Sequence, residues 1–226
     1  MATGVSDRMN KQSGLARDLI LNHRILTRGM CISIDALSDA EGAVEQDGFL
    51  LYFGCLLKAL EAHHRVEDEC MFPDWRTVVP AASYDVLERE HVAIARILDS
   101  LGSSLQSKQT LNAPKVVAQL EGISGIWRPH IQIEEDAFTA QAFNQALTAA
   151  EQEAAVARYA AYSLRLAGDP DVALPFLLLN LLEEDRAIFA WRIPSTQLER
   201  VFDEEGSWRS MRPYLLYESQ HGEGGA

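Results

Sequence analysis

A histidine followed four residues later by a glutamate occurs twice in this chain, as His63-x-x-x-Glu67 and His130-x-x-x-Glu134. On a helix, residues i and i+4 stand one above the other on the same face, so each pair can reach a single point in space. Both pairs lie inside apolar stripes. Phe49, Phe53, Leu56 and Leu60 lead to the first and Met71 follows it; Val116, Leu120, Ile123 and Trp127 lead to the second and Phe138 follows it. Two further histidines are placed the same way, His23 among Leu15, Leu19, Leu26 and Met30, and His91 among Tyr84, Leu87, Ile94 and Leu98. The chain therefore puts ionisable side chains on faces that read as core.

These stripes predict four long helices. The first follows Ser13 as N-cap and runs to about Leu37. The second covers about Gly48 to Met71 and is closed by Pro73. The third covers about Ala81 to Leu105. The fourth starts at Pro114, a favoured first-turn position for proline, and is expected to kink at Pro129. His23, His63 and Glu67 recur in the same order as His91, His130 and Glu134, which makes the chain a repeat of two helical hairpins. The predicted fold is all-α, an antiparallel up-down four-helix bundle with a C-terminal helical extension. Residues 1–13 read as a flexible leader, 14–145 as the bundle and 146–226 as the extension. Within the extension, helices are expected over 148–166 with Gly168 as C-cap, over 171–191, and over 195–202. His221 sits alone in a glycine-rich end expected to be disordered.

A buried ionised carboxylate without a partner loses several kcal/mol of hydration. Arg65, Arg89, Arg96 and Arg128 fall off the core faces, so no basic side chain in the stripes offsets Glu67 or Glu134. Two metal cations would. The six predicted ligands are His23, His63, Glu67, His91, His130 and Glu134, a donor set that suits iron, manganese or zinc. His64 and Asp68 lie about 100° further round their helix and are expected at the rim or in solvent. Asp68, Glu69, Glu135 and Asp136 read as a solvated face or as partners behind the ligands, and Glu88 and Glu90, either of which could orient an imidazole, as surface residues. Cys31, Cys55 and Cys70 lack metal-site spacing and read as packing thiols of a reducing cytoplasm.

The formal net charge of −13 argues against a nucleic-acid or anionic-membrane partner. The longest apolar run, Leu174 to Leu182, is interrupted by Pro175 and Asn180 and is too short to span a bilayer. A cytoplasmic location is the expectation.

At His23, His63-x-x-x-Glu67, Glu90-His91 and His130-x-x-x-Glu134 the chain resembles the hemerythrin-like family, the cation-binding domain named for its His-His-Glu motif. The resemblance covers about residues 14–143. It implies a non-haem di-iron centre, with manganese or zinc as substitutes, bridged by Glu67 and Glu134 and completed by His23, His63, His91 and His130. No catalytic residue beyond these ligands is implied. Oxygen-carrying hemerythrins have a second histidine four residues on in the third helix, where this chain has Ala95. That departure makes it similar to the branch containing iron-centre repair proteins and bacterial proteins linked to peroxide or nitric oxide. The leading expectation is binding or turnover of O2, H2O2 or NO in a redox or nitrosative stress response. The alternatives are an oxygenase or oxidase using a pocket between bundle and extension, and a non-enzymatic iron or oxygen sensor. The extension reads as packing on the bundle or on the second subunit of a homodimer.

Overall fold

Helix α1 (Leu15–Ser38) presents Leu15, Leu19, His23, Leu26, Met30 and Leu37 to the interior, as its stripe requires. In the computed structural model, residues 14–39, 43–44, 47–107, 111–190, 193, 195–201 and 206–216 are described. Ser13, the expected cap of α1, and His221 lie outside them.

Helix α2 (Asp47–Val66) buries more than one stripe. Tyr52 and Phe53, Leu56 and Leu57, and His63 and His64 are all inside. The helix does not close at Pro73. It widens into a π-helical turn (Glu67–Met71) and ends in one more α turn (Phe72–Trp75). Pro73 stands in the first turn of that last piece, where its missing N–H is no loss.

Helix α3 spans Tyr84–Gln106 and α4 spans Ala113–Ala137. The Lys115 N–H donates to Asn112 Oδ1 at 3.0 Å, which caps α4. The helix continues through Pro129. Two-residue strands β1 (Ala43–Val44) and β2 (Leu111–Asn112), absent from the sequence reading, pair antiparallel and tie the α1–α2 connection to the α3–α4 connection.

Among the four long helices, α1 packs on α2 and α4, and α3 packs on α2 and α4. The shared core includes Leu26, Met30, Phe53, Leu60, Ile94 and Trp127. Each Leu- or Phe-sized side chain buried there contributes roughly 1.5–3 kcal/mol.

The C-terminal part begins with α5 (Ala140–Ala146), a short helix the sequence reading did not anticipate; Thr139 caps it. Helix α6 (Ala149–Leu166) opens with a reciprocal Thr148–Glu151 capping box. Gly168, at φ +92°, reverses the chain after α6, a backbone conformation that favours glycine. The single helix expected over 171–191 is two helices, α7 (Pro170–Leu179) and α8 (Glu183–Ala190); Trp191 lies outside the described residues. The break falls at Asn180. Its Nδ2 donates at 2.8 Å to the Phe176 carbonyl, which also accepts from the Asn180 N–H at 3.3 Å, and its Oδ1 accepts from the Tyr52 hydroxyl at 2.9 Å, so the side chain caps the end of α7. Helix α9 (Ser195–Val201), a 3₁₀ turn (Ser207–Met211) and α10 (Arg212–Leu215) complete the described chain. Helices α6 and α7 pack on α2, and α6 also touches α1. Buried Asp185 of α8 accepts from Arg17 and Arg24 of α1.

Candidate metal centre

His23, His63, Glu67, His91, His130 and Glu134 are all buried, Glu67, His130 and Glu134 completely. They come from α1, α2 and its π turn, α3 and α4, and the structure brings all six together. Each carboxylate reaches in two directions. Glu67 Oε1 lies 3.3 Å from His63 Nε2, and Oε2 lies 3.4 Å from His91 Nε2. Glu134 Oε2 lies 3.0 Å from His23 Nε2, and Oε1 lies 3.5 Å from His130 Nε2. The His91 and His130 Nε2 atoms are 3.1 Å apart.

His64 was expected at the rim of the stripe or in solvent, but it is buried and belongs to the cluster. Its ring stacks on His91 with centroids 4.3 Å apart. Two sets of four residues each offer ligand atoms within 4.8 Å of one another: His23, His63, Glu67 and Glu134, and His64, Glu67, His91 and His130. Glu67 belongs to both.

A ring of acids orients the imidazoles from behind. His23 Nδ1 lies 2.8 Å from Glu135 Oε1, His91 Nδ1 lies 2.8 Å from Asp68 Oδ1, and His130 Nδ1 lies 3.0 Å from Glu90 Oε2. A carboxylate at that distance takes the Nδ1 proton as a hydrogen bond and leaves Nε2 with its lone pair facing inward. Glu90, read as a surface residue beside His91, instead holds His130 across the helix interface. Trp127 walls the site; its ring centroid is 5.5 Å from that of His23 and 5.6 Å from that of His63, and its Nε1 donates to Thr27 Oγ1 at 2.9 Å. Phe72 stacks on His91 at 5.5 Å.

Burial pushes the Glu67 carboxyl well above the usual carboxylate range, and the charges of Glu134 and Asp68 add to it. Burial, reinforced by the neighbouring imidazoles, pushes His63 and His64 well below the usual histidine range. Burial lowers His130 as well, against the pull of Glu134. At His23, burial lowers the value, but the adjacent Glu134 and Glu135 carboxylates prevail and the net shift is upward. Without a cation, then, the protein environment disfavours charge on most of these groups.

Whether the residues fit a metal is answered by the atoms left over. Both oxygens of Glu67, both oxygens of Glu134, and Nε2 of His23, His63 and His64 are buried without a hydrogen-bond partner. Such a concentration of unsatisfied acceptors would cost several kcal/mol as a purely structural core. Two donors bound to one ion at about 2.1 Å lie about 3.0–3.4 Å apart for angles between 90° and tetrahedral. Three of the four N···O separations, 3.0, 3.3 and 3.4 Å, fall in this range and the fourth, 3.5 Å, lies just beyond it. Arg65, Arg89, Arg96 and Arg128 are exposed, and among the described residues no lysine or arginine pairs with Glu67 or Glu134; their neighbours are the histidines. The residues fit.

Such a cluster on four helices defines the class: an all-helical domain with a buried histidine–carboxylate cation centre. The family model of the hemerythrin HHE cation binding domain matches residues 15–142, and the chain belongs to that family. Searches of curated proteins and of solved structures returned no significant match.

The signal for His64 was present in the sequence. Tyr52/Phe53, Leu56/Leu57 and His63/His64 are successive adjacent pairs at helical spacing. A helix that buries both members of the first two pairs buries both members of the third.

Proposed function

We propose that this chain is a non-haem di-iron protein that binds or turns over a small ligand, O2, H2O2 or NO. The observation that carries the reading is the convergence of unpartnered imidazole nitrogens and carboxylate oxygens in two sets that share Glu67. His23, His63 and Glu134 would hold one ion, His64, His91 and His130 the other, and Glu67 both. Glu134, with one oxygen toward His23 and the other toward His130, would serve as a second bridge. Manganese or zinc would suit the same donors.

When bound, the iron pair supplies Lewis acidity and redox electrons to a small ligand. The protein's part is to position and shield. Glu135, Asp68 and Glu90 fix the tautomers and ring orientations of His23, His91 and His130. Trp127 and Phe72, both buried, exclude bulk water. Four protein donors on one ion and, with Glu134 bridging, five on the other are fewer than the six of an octahedral site, which would leave room for an external ligand.

We read residues 14–145 as an antiparallel up-down four-helix bundle and 146–226 as an extension docked on it. Supporting this are the pairwise packing of α1, α2, α3 and α4 and the β1–β2 pairing, which places two interhelical connections side by side. Among the described residues no helix is long and apolar enough to cross a membrane; we place the protein in the cytoplasm on its acidic charge and unpaired thiols.

The test is optical. Iron-loaded protein is mixed with O2, H2O2 and NO in turn under anaerobic control. At least one should change the visible absorption, and no change with any of them would overturn the reading.

A further inference from the structure

A cavity of about 140 Å³ lies between the long helices and the C-terminal part. Its floor is formed by Leu19, Leu26, Ala62 and His63, and its roof by Val156, Leu174 and Leu177. Small side chains make the space: Ala59 and Ala62 on α2 face Ala160 and Ser163 on α6. Of the lining residues, Leu164 is 38% exposed and Ala160 is also exposed.

The walls are mainly aliphatic. Asp18, Asn22 and Tyr159 also line the space. Asn22 Nδ2 is engaged with the Asp18 carbonyl at 2.8 Å, and the Tyr159 hydroxyl donates to Asp74 Oδ2 at 2.6 Å. A buried water needs two to four polar partners, and an apolar cavity of about 150 Å³ in another protein stays dry and takes up benzene or xenon. The volume here is of that order and several times what one diatomic molecule fills. His63 belongs both to this wall and to a ligand set of the metal centre.

We propose that α6 and α7 close, against α1 and α2, a binding site for a benzene-sized apolar organic molecule beside the metal centre. This deepens the functional reading and rests on it only for the ion next door. Dispersion and exclusion of water hold the molecule, with no ion pair or directed hydrogen bond required. Selectivity is by size and polarity: six to eight carbons enter, and charged or strongly hydrated molecules do not. The C-terminal helices thus contribute a surface that the four long helices alone do not enclose.

The experiment uses full-length, iron-loaded protein and toluene, with bound toluene read by headspace partition. The site predicts saturable uptake of one toluene per chain and electron density between α2 and α6 in a toluene-soaked crystal. Ala160→Trp, at an exposed lining position, should weaken uptake at least 10-fold with iron content and helical circular dichroism unchanged. Uptake that is non-saturable, uptake unaltered in Ala160→Trp, density elsewhere, or uptake of xenon but not toluene would each overturn the proposal. Saturable toluene binding in a protein that shows no spectral response to O2, H2O2 or NO keeps this site and removes the functional reading; the reverse pattern does the opposite.

Discussion

His64 and His63 are chain neighbours that serve opposite sides of the centre. His63 meets His23 edge to face at 5.3 Å, while His64 lies flat on His91. On the proposed reading His64 would therefore bind the ion on the α3–α4 side. His64→Ala should lower the metal content from two ions per chain toward one, read by elemental analysis; a solvated rim residue would leave it unchanged. Glu90→Gln keeps the size of the side chain but loses the charge that orients His130. It should weaken metal binding about 10–100-fold in a chelator competition, with folding intact. The thiols provide an independent check on burial. Burial pushes Cys55 up to about 11, against the pull of Lys58. A raised value means less thiolate at any given pH, so Cys55 should resist alkylation at pH 8 and become reactive only as pH approaches 11. Fast labelling of Cys55 at pH 8 would show α2 more open than described.

At the scale of elements, long amphipathic patterns were legible and local backbone exceptions were not. The stripes of α1, α3 and α4 and the Thr148 start of α6 could be read from spacing and capping residues alone. The π turn at Glu67–Met71 could not, because a widened turn leaves no periodic trace over five residues. Nor could the break at Asn180, since its cause is a partner, Tyr52, far away in sequence. The partnership of Glu90 with His130 was hidden for the same reason: neighbours across a helix interface are not neighbours in the chain. The Tyr52–Asn180 bond gives a test of how firmly the extension is seated. Tyr52→Phe leaves a buried amide oxygen without its donor and should cost about 1–3 kcal/mol in chemical denaturation. An unchanged midpoint would mean that this contact does not fasten α7 to α2.

At the scale of the whole molecule, the long helices and the C-terminal part have separate tasks. The four long helices spend their central core positions on imidazoles and carboxylates, and aromatic side chains seal those positions off. The extension covers α2 and is anchored to α1 through Asp185 with Arg17 and Arg24. A core that holds two glutamates and five histidines without a basic partner is costly by itself, so bound metal should raise the stability of the fold. The most direct measurement is therefore metal stoichiometry together with thermal unfolding, before and after chelation, in the wild-type protein and in Glu67→Ala. The account predicts two ions per chain, a melting temperature that falls when they are removed, and loss of both ions when Glu67 is replaced. A chain that holds less than one ion whichever of iron, manganese or zinc is supplied, and melts at the same temperature with or without chelator, would contradict it.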